Sequence, residues 1–280
     1  MRDIILEYKK YMELKNYSAN TIELYLWDLK DFIEFLKVYD NVLLEEATKT
    51  EVLQYLYWIN EKGNKSCTKH HKIYSLKSFY KWYCKNYGGI NPTYAIESNK
   101  IADRNPRCLT LAQAKLLQDI TQNRKHNMII KFFLNTGLRV SEVCNIKLAD
   151  IDMANCSVNV KCKGNKYRTT YFTTKLKKDL EIYLGEYEPY IFLFESSRGR
   201  QYSRRGIYEI IQNAYKLAGI KGMTVHSLRH TVATLIYEKT KDILVVKEVL
   251  GHESIESTMI YTHVSNEAVR DAVRRNPLNI

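Results

Sequence analysis

The sequence predicts a mostly α-helical protein with two domains and a small β-sheet in the second domain. Three observations predict this arrangement. Apolar residues recur at intervals of three to four through most of the first 90 residues, which is the spacing of one helix face. A segment that begins at Gly88 and contains two prolines breaks this period near residue 100, and an alternating apolar–polar pattern follows at 158–163. We therefore expect a helical domain at 1–90, a linker at 91–108 and a mixed α/β domain at 109–280.

Four helices account for the first domain. The second of them has apolar residues at 22, 25, 29, 32 or 33, and 36, and either Ser18 or Asn20 is its expected N-cap. Thr48 and Glu51 have the spacing of a capping box at the start of the third helix. The fourth helix is expected at about 65–87, with an apolar inner face and a basic outer face. The outer face carries Lys69, Lys72, Lys77, Lys81 and Lys85.

The chain carries an excess of positive charge. Its 43 lysines and arginines outnumber its 31 acidic residues, for a net charge of +12, which favours a nucleic acid as partner, with an anionic membrane surface as the alternative. Seven lysines and no acid lie between Lys62 and Lys85. A solvated surface is the usual explanation of a lysine-rich helix. Because these like charges repel one another without nearby acids, we interpret the strip as a face that binds phosphates and positions the protein on DNA.

Composition argues against several other classes of protein. No apolar run approaches the roughly twenty residues of a membrane-spanning helix, and the N-terminal MRDIILEYKK mixes acids and bases, unlike a signal peptide. We expect a cytoplasmic protein. The six cysteines form no CxxC pair and no zinc-ligand spacing, so we expect reduced thiols. There is no GxxxxGK[ST] loop, and we expect neither a metal nor a cofactor.

The second domain combines helices with one hairpin. Thr110 begins a capping box at its first helix. A strand at 158–162 leads into a Gly164-Asn165 turn and a second strand that runs to Phe172, so Lys163 lies at the lip of a hairpin. Helices are expected at 111–121, 126–135, 141–147, 175–187, 204–218, 227–238, 243–250 and 266–275.

Four short segments of the second domain carry side chains suited to phosphodiester chemistry. NTGLRVSE places Arg139 just after a helix-ending glycine, and HSLRH places His226 and Arg229 on one helix face. LGHES places His252 after another glycine, and MIYTH places Tyr261 nine residues later. Each segment alone is weak evidence, because a lone arginine is usually a surface ion pair and a lone histidine is usually structural. Together with the hairpin lysine they form a set that can bind and process a phosphodiester.

These segments resemble the conserved boxes of a known family. TGLRVSEV, KCKGNKYR, HSLRHTVATL and LGHESIESTMIYTH are similar, in the same order, to the boxes of the tyrosine recombinase (phage integrase) family. SANTIELYLWDLKDFIEFL resembles the family's helical, SAM-like core-binding domain, so the likeness covers nearly the whole chain. The resemblance implies a C-shaped clamp around DNA, formed by the core-binding domain and a mixed α/β catalytic domain. It also implies a site-specific recombinase that works through a 3′-phosphotyrosine intermediate and a Holliday junction.

The resemblance implies a role for each of the chemical residues. Tyr261 would attack the scissile phosphate. Arg139 and Arg229 would bind its non-bridging oxygens, for which a planar, permanently charged fork is well suited. Lys163 would protonate the 5′-oxygen leaving group as general acid.

The expected site contains three further histidines and one acid. His226 is expected to accept the tyrosine proton or to assist at the leaving oxygen, and His252 to donate a hydrogen bond to the phosphate. His230 is expected to point to a different helix face from His226 and to serve packing or backbone support. Glu142 either orients the catalytic groups or stabilises the first turn of its own helix. The expected DNA contacts are Lys65, Lys69, Lys72, Lys77, Lys81, Lys166, Arg168, Arg204 and Arg205.

The short helical domain favours one branch of the family. About 100 residues precede the linker, which is more similar to the compact Xer-type recombinases than to large phage integrases that bind two kinds of site. A homotetramer, or a heterotetramer with a sister recombinase, is then expected on two DNA sites, with a C-terminal tail helix that docks in cis or in trans. Integration, excision, inversion and dimer resolution all stay open. Type IB topoisomerase-like strand relaxation and a non-enzymatic DNA-binding regulator are the alternative functions.

Overall fold

The computed structural model describes residues 2–39, 41–97, 106–162, 167–196, 199–251 and 254–261. The chain divides into two compact units, Met1–Asp103 and Arg104–Ile280. Helices make up most of the described chain, and a three-stranded sheet lies in the second unit, which confirms the predicted fold class. In these ranges no helix combines the length and the apolar character that crossing a membrane requires.

The described part of the first unit has four helices. They are α1 (Arg2–Leu14), α2 (Ala19–Tyr39), α3 (Lys49–Glu61) and α4 (Ser66–Tyr87). Two expected N-termini are confirmed by their caps. Ser18 Oγ accepts a hydrogen bond of 3.2 Å from the main-chain nitrogen of Thr21, and Thr48 forms a capping box with Glu51.

Aromatic side chains hold the four helices together. Tyr8 of α1 meets Phe79 of α4 edge to face, with ring centroids 5.3 Å apart, and Phe32 of α2 meets Tyr55 of α3 at 4.9 Å. All four rings are fully buried. Because each such pair adds about 0.5–1.5 kcal/mol beyond the area that it buries, these contacts fix the helix packing as well as contributing to stability.

Lys72 departs from the expected outer face of α4. It is 8% exposed, and its Nζ lies 2.7 Å from Asp31 Oδ2 and 3.4 Å from Asp28 Oδ1. Asp28 also accepts a hydrogen bond of 2.7 Å from Ser75 Oγ. The prediction that Lys72 lies on the outer face was therefore wrong, since two acids of α2 compensate its charge inside the unit.

The described part of the second unit contains eight α-helices. Seven predicted helices are confirmed with small shifts of their ends, and the one expected at 266–275 lies outside the described residues. The predicted capping box of Thr110 starts the first of them, and the second begins early because the Asn123 side chain accepts from the main-chain nitrogen of His126 at 3.1 Å. The helices are α5 (Leu111–Leu117), α6 (Arg124–Thr136), α7 (Val140–Asn145), α8 (Thr174–Tyr187), α9 (Arg204–Leu217), α10 (Val225–Thr240), α11 (Ile243–Leu250) and α12 (Glu256–Met259).

The sheet is antiparallel, in the order β1-β2-β3. Its strands are β1 (Ile151–Asp152), β2 (Ser157–Lys161) and β3 (Tyr167–Tyr171). Strands β2 and β3 confirm the two predicted hairpin strands, with Val160 opposite Arg168, while the turn at 163–166 lies outside the described residues. Strand β1 was not predicted, because two residues are too few to produce a detectable alternation.

Helix α6 is the centre of the core of the second unit. Its Ile129, Phe132 and Phe133 are buried and belong to the same apolar cluster as Leu180 of α8 and Leu228 of α10. Helix α6 packs against both α8 and α10. The C-terminal end of α6 is thereby held close to the first turns of α10, and three of the predicted chemical residues, Arg139, His226 and Arg229, lie at this junction.

Candidate active site

The turn between α6 and α7 positions Arg139. Gly137 ends α6 with a φ of +62°, and a Cβ built on it would lie 3.1 Å from Leu250 Cδ2 and 3.2 Å from Val232 Cγ1. Glycine is therefore required both by the backbone conformation and by the space. Arg139 follows as the N-cap of α7. Its main-chain nitrogen donates to Glu142 Oε2 at 2.7 Å and its Nη1 donates to Glu142 Oε1 at 3.0 Å, while its side chain stays 39% exposed.

Glu142 lies at the centre of a partly buried ion-pair network. It is 8% exposed and receives a two-pronged contact from Arg168 of β3, with Nη1–Oε1 at 2.8 Å and Nη2–Oε2 at 3.1 Å. Burial alone would raise the pKa of the Glu142 carboxyl, but hydrogen bonds from Arg168 and the Arg139 main chain outweigh it and hold the pKa below its usual value. Both roles expected for Glu142 have direct contacts: it completes the capping box at the start of α7, and it holds the guanidinium of Arg139.

Arg168 connects the hairpin to two other parts of the unit. Its side chain is 14% exposed, its Nη1 lies 2.9 Å from Cys162 Sγ, and a Cβ built on Gly251 would lie 2.5 Å from its Cδ. The arginine therefore touches the hairpin, the start of α7 and the end of α11. The expectation that Arg168 is available to DNA does not match this position, because its guanidinium is already engaged with a carboxylate.

Arg229 joins the ends of two helices. It is buried, and it donates from Nη1 to the carbonyl oxygen of Gly137 at 2.8 Å and from Nη2 to that of Leu250 at 2.7 Å. These are carbonyls at the C-terminal ends of α6 and α11, where a cation is favourable. Burial and the nearby charge of Arg139 lower the pKa of Arg229 to about 10, so the guanidinium remains charged at neutral pH.

Tyr261 contacts a histidine that was expected to be structural. Its Oη lies 2.7 Å from His230 Nδ1, and the residue is only 5% exposed, in a cluster with Ala233, Val246 and Leu250. Burial, which outweighs the opposing charges of Arg229 and Arg139, raises the pKa of Tyr261 to about 12. The hydroxyl is therefore protonated at neutral pH and needs a base before it can act as a nucleophile.

The predicted catalytic set is only partly covered by the described residues. Arg139, Arg229, His226 and Tyr261 lie in the same unit, and the pKa of His226 is lowered first by burial and then by the charges of Arg229 and Arg139. Lys163 and His252 lie outside the described residues, as does Lys166. Within the described ranges, no three His, Cys, Asp or Glu side chains are grouped as a metal site would need.

The expected DNA contacts differ in how available they are. Lys65, Lys81 and Arg204 are exposed, and Lys77 is half-buried. Lys69 Nζ donates to Asn60 Oδ1 at 2.6 Å. Arg205 pairs with Glu209 at 3.0 Å on an exposed surface, where such a pair contributes little and is easily exchanged for a phosphate. Lys72, in contrast, is held by the half-buried Asp31 and the buried Asp28, and Arg168 is held by the buried Glu142.

Sequence reasoning missed the contact between His230 and Tyr261, although the signal was present. His226 and His230 are four residues apart on α10, and residues four apart share one helix face. The expectation that they point to different faces was wrong. The link between Glu142 and Arg168 joins residues 26 positions apart through the fold, and no local pattern indicates it.

The sequence is similar to those of known proteins over both units. The sequence model of the phage integrase family matches residues 107–268, and that of the N-terminal SAM-like domain of phage integrases matches residues 4–88. The chain is 35% identical to tyrosine recombinase XerC of Caldanaerobacter subterraneus subsp. tengcongensis, over 99% of this chain and 87% of that protein. It is 31% identical to tyrosine recombinase XerD of Staphylococcus saprophyticus subsp. saprophyticus, over 96% of this chain and 97% of that protein.

Solved structures support the fold. The XerH site-specific recombinase bound to a palindromic difH substrate, in a post-cleavage complex, matches with a TM-score of 0.77 at 23% identity, over 93% of this chain and 81% of that chain. A lambda integrase dimer bound to a COC′ core site matches with a TM-score of 0.77 at 18% identity, over 92% of this chain and 96% of that chain.

Proposed function

The chain belongs to the phage integrase family, and we propose that it is a Xer-type tyrosine recombinase that cuts and rejoins DNA at a specific site with Tyr261 as its nucleophile. One observation carries the assignment of the site. Arg229 and His230 are adjacent on α10. Arg229 donates a hydrogen bond to Gly137, which lies two residues before Arg139, and His230 shares a hydrogen bond with Tyr261. A tyrosine, an imidazole and two arginines thereby converge around one small region.

The two arginines are suited to hold the scissile phosphate. Arg139 uses only Nη1 on Glu142, so the rest of its half-exposed fork is free for non-bridging oxygens. Arg229 gives one hydrogen bond from each η nitrogen to a carbonyl, and each of these nitrogens retains a second N–H. Because these donors are fixed before the DNA arrives, they can stabilise the charge that develops on the phosphate oxygens in the transition state.

The proposed reaction proceeds in two reversible halves. Tyr261 Oη attacks the phosphorus atom, the bond to the 5′-oxygen breaks, and a 3′-phosphotyrosine and a 5′-hydroxyl result. Lys163 would donate the proton that the departing 5′-oxygen needs, and His226 and His252 would assist at the phosphate. A 5′-hydroxyl from a second strand then attacks the phosphotyrosine in the reverse sense, so strand exchange requires no external energy source.

The assembly and setting of the reaction are part of the proposal. Exchange between two duplexes needs four strand cleavages, for which we propose a tetramer of this chain, or of this chain and a sister recombinase. The XerC and XerD names of its relatives support the second form. We place the reaction in the cytoplasm, as expected for an enzyme that acts on DNA.

The proposal is tested by trapping the covalent intermediate. The unmodified protein, Tyr261→Phe and the control Tyr208→Phe, which changes an exposed tyrosine of α9, are mixed with nicked genomic fragments from the source organism. Cleavage beside a nick releases a short oligonucleotide and leaves an SDS-resistant adduct whose DNA can be sequenced. We expect adducts at one sequence with the unmodified protein and Tyr208→Phe, and none with Tyr261→Phe. Adducts of equal yield from all three proteins would place the nucleophile elsewhere.

A further inference from the structure

The direct partner of the Tyr261 hydroxyl is an imidazole. The distance of 2.7 Å between Tyr261 Oη and His230 Nδ1 is that of a well-formed hydrogen bond. The two rings are tilted by 52°, with centroids 5.7 Å apart, so they meet through these polar atoms and are not stacked. Tyr261 is buried among Ala233, Val246 and Leu250, which restrains the phenol in this position.

The surroundings of His230 favour a neutral ring. It is half-buried on α10, beside Arg229 and one helical turn from His226. Burial first, and then the charges of His226 and Arg229, lower its pKa from the usual value. The charged and titratable groups that act on the Tyr261 side of the pair are Arg229, Cys108 and Arg139. A neutral imidazole with its proton on Nε2 presents a lone pair at Nδ1, which is what a proton acceptor needs.

We propose that His230 is a catalytic residue, the general base that accepts the proton of Tyr261 when the phosphate is attacked. The inference rests on the proposed function and assigns the tyrosine proton to His230, which leaves His226 to act at the phosphate or the leaving oxygen. It is carried by the contact itself, since a base must lie within hydrogen-bond reach of the proton that it removes.

The step balances in protons and charge. The Oη–H bond of Tyr261 breaks and its proton passes to His230 Nδ1, which makes the ring an imidazolium. The phenolate oxygen forms the bond to phosphorus as the bond to the 5′-oxygen breaks, and that oxygen takes a proton from the general acid. When a 5′-hydroxyl attacks the phosphotyrosine, the imidazolium returns its proton to the departing phenolate, so the same residue serves both directions.

The test separates hydrogen bonding from basicity. Asn at position 230 can place an amide atom close to the position of Nδ1 and keep a hydrogen bond to Tyr261, but it cannot take up a proton. His230→Asn, His230→Ala and the control His126→Asn, which changes a histidine near the start of α6, are compared on the DNA sequence recovered with the trapped adduct. Adduct formation is measured at saturating DNA, and affinity is measured separately on the same DNA.

We expect the rate of adduct formation to fall by about 10²–10⁴-fold in both His230 variants, with affinity within about twofold of the unmodified protein and no change in His126→Asn. The pH profile is the readout that a purely structural role would not move. In the unmodified protein the rate should rise with pH until His230 is neutral and then stay constant. This plateau should begin at a pH below about 6.5. In His230→Asn the rate should keep rising tenfold per pH unit through pH 8.5, because only the phenolate formed by solvent can then attack.

Each outcome decides between the proposals. If His230→Asn or His230→Ala forms the adduct as fast as the unmodified protein, or faster, His230 restrains Tyr261 and does not activate it. This inference is then overturned, whereas the proposed function stands. If the rate falls but the pH profile keeps its plateau, His230 only positions the phenol, and the inference is also overturned. If the adduct survives Tyr261→Phe, the proposed function and this inference fall together.

Discussion

Replacing Arg168 by methionine tests the ion-pair network around Glu142. The change removes both of the hydrogen bonds that Arg168 donates to the carboxylate, at 2.8 and 3.1 Å, and leaves a buried acid with only Arg139. Removing one partner of a buried pair costs about 3–5 kcal/mol. Because Arg139 keeps its own two contacts, we expect the lower end, about 3 kcal/mol. With a urea slope near 2 kcal/mol per molar, the unfolding midpoint of the second unit should fall by about 1.5 M.

The chain provides its own reference for this measurement. All three tryptophans, Trp27, Trp58 and Trp82, belong to the first unit, so tryptophan fluorescence reports the first unit while far-UV circular dichroism reports both. We expect the circular-dichroism midpoint to shift, whereas the control Arg204→Met, at an exposed position of α9, should change stability by less than about 0.5 kcal/mol. Stability of Arg168→Met within about 0.5 kcal/mol of the unmodified protein would refute the reasoning.

Two further measurements check the cause of the loss. The pKa of Glu142 is lowered in the folded protein, so its stabilising contribution is full above the unfolded value of about 4.3 and is lost as pH falls through the folded value. The difference in stability between the two proteins should therefore narrow below about pH 4.

If Arg168 contacted a phosphate, its replacement would lower the salt slope of DNA binding by about one. Because Arg168 is held by Glu142, we expect no change in that slope; a drop of one would restore Arg168 as a DNA contact.

Four further substitutions test positions in both units. Gly251→Ala should destabilise the second unit by at least about 2 kcal/mol in urea unfolding, because its φ is +63° and the added Cβ would meet the Arg168 side chain; combining it with Arg168→Met should be less than additive. Lys72→Met should lower the tryptophan-detected stability of the first unit by about 3 kcal/mol, because it removes the lysine from the buried Asp28 and the half-buried Asp31. Lys81→Met should leave that stability unchanged and lower the salt slope of DNA binding by about one. Arg229→Lys should slow adduct formation by about 10²–10³-fold with little change in affinity, since one ammonium cannot bridge two carbonyls and also hold a phosphate.

Local sequence patterns predicted those features that depend on neighbours along the chain. The cap at Ser18, the capping boxes at Thr48 and Thr110, and the hairpin strands are all set by residues a few positions apart, and all are confirmed. The position of Lys72 was mispredicted because its partners lie on another helix, 41 and 44 residues away. A helical period shows which residues share a face, but not whether a charge on that face meets an opposite charge from elsewhere in the fold.

The proposed catalytic region was predictable in its residue types and only partly in its contacts. Arg139, Arg229 and Tyr261 were identified because each lies in a short recognisable segment. The resemblance to a known family then implied a role for each of them. His230 was misjudged by a simple error of helical geometry, which the i,i+4 spacing to His226 would have corrected. The pairing of Glu142 with Arg168 depends on how β3 packs against α7, and that information is not contained in either segment alone.

The charge balance around Glu142 explains why a carboxylate is tolerated beside a phosphate site. Without Arg168, the acid would repel DNA and would have Arg139 as its remaining arginine partner. Arg168 contacts both oxygens of the carboxylate and Arg139 contacts one of them, so Arg139, Arg168 and Arg229 together with Glu142 carry a net charge of two positive. A phosphodiester carries one negative charge and its five-coordinate transition state carries more on the non-bridging oxygens, so two fixed cations favour the transition state over the ground state. The positive charge that compensates Glu142 is that of Arg168, which lies on β3. Successive side chains of a strand point to opposite faces. A one-residue slip in the register of β3 against β2 would turn residue 168 away from Glu142, so the pairing of the hairpin strands sets the electrostatics of the arginines.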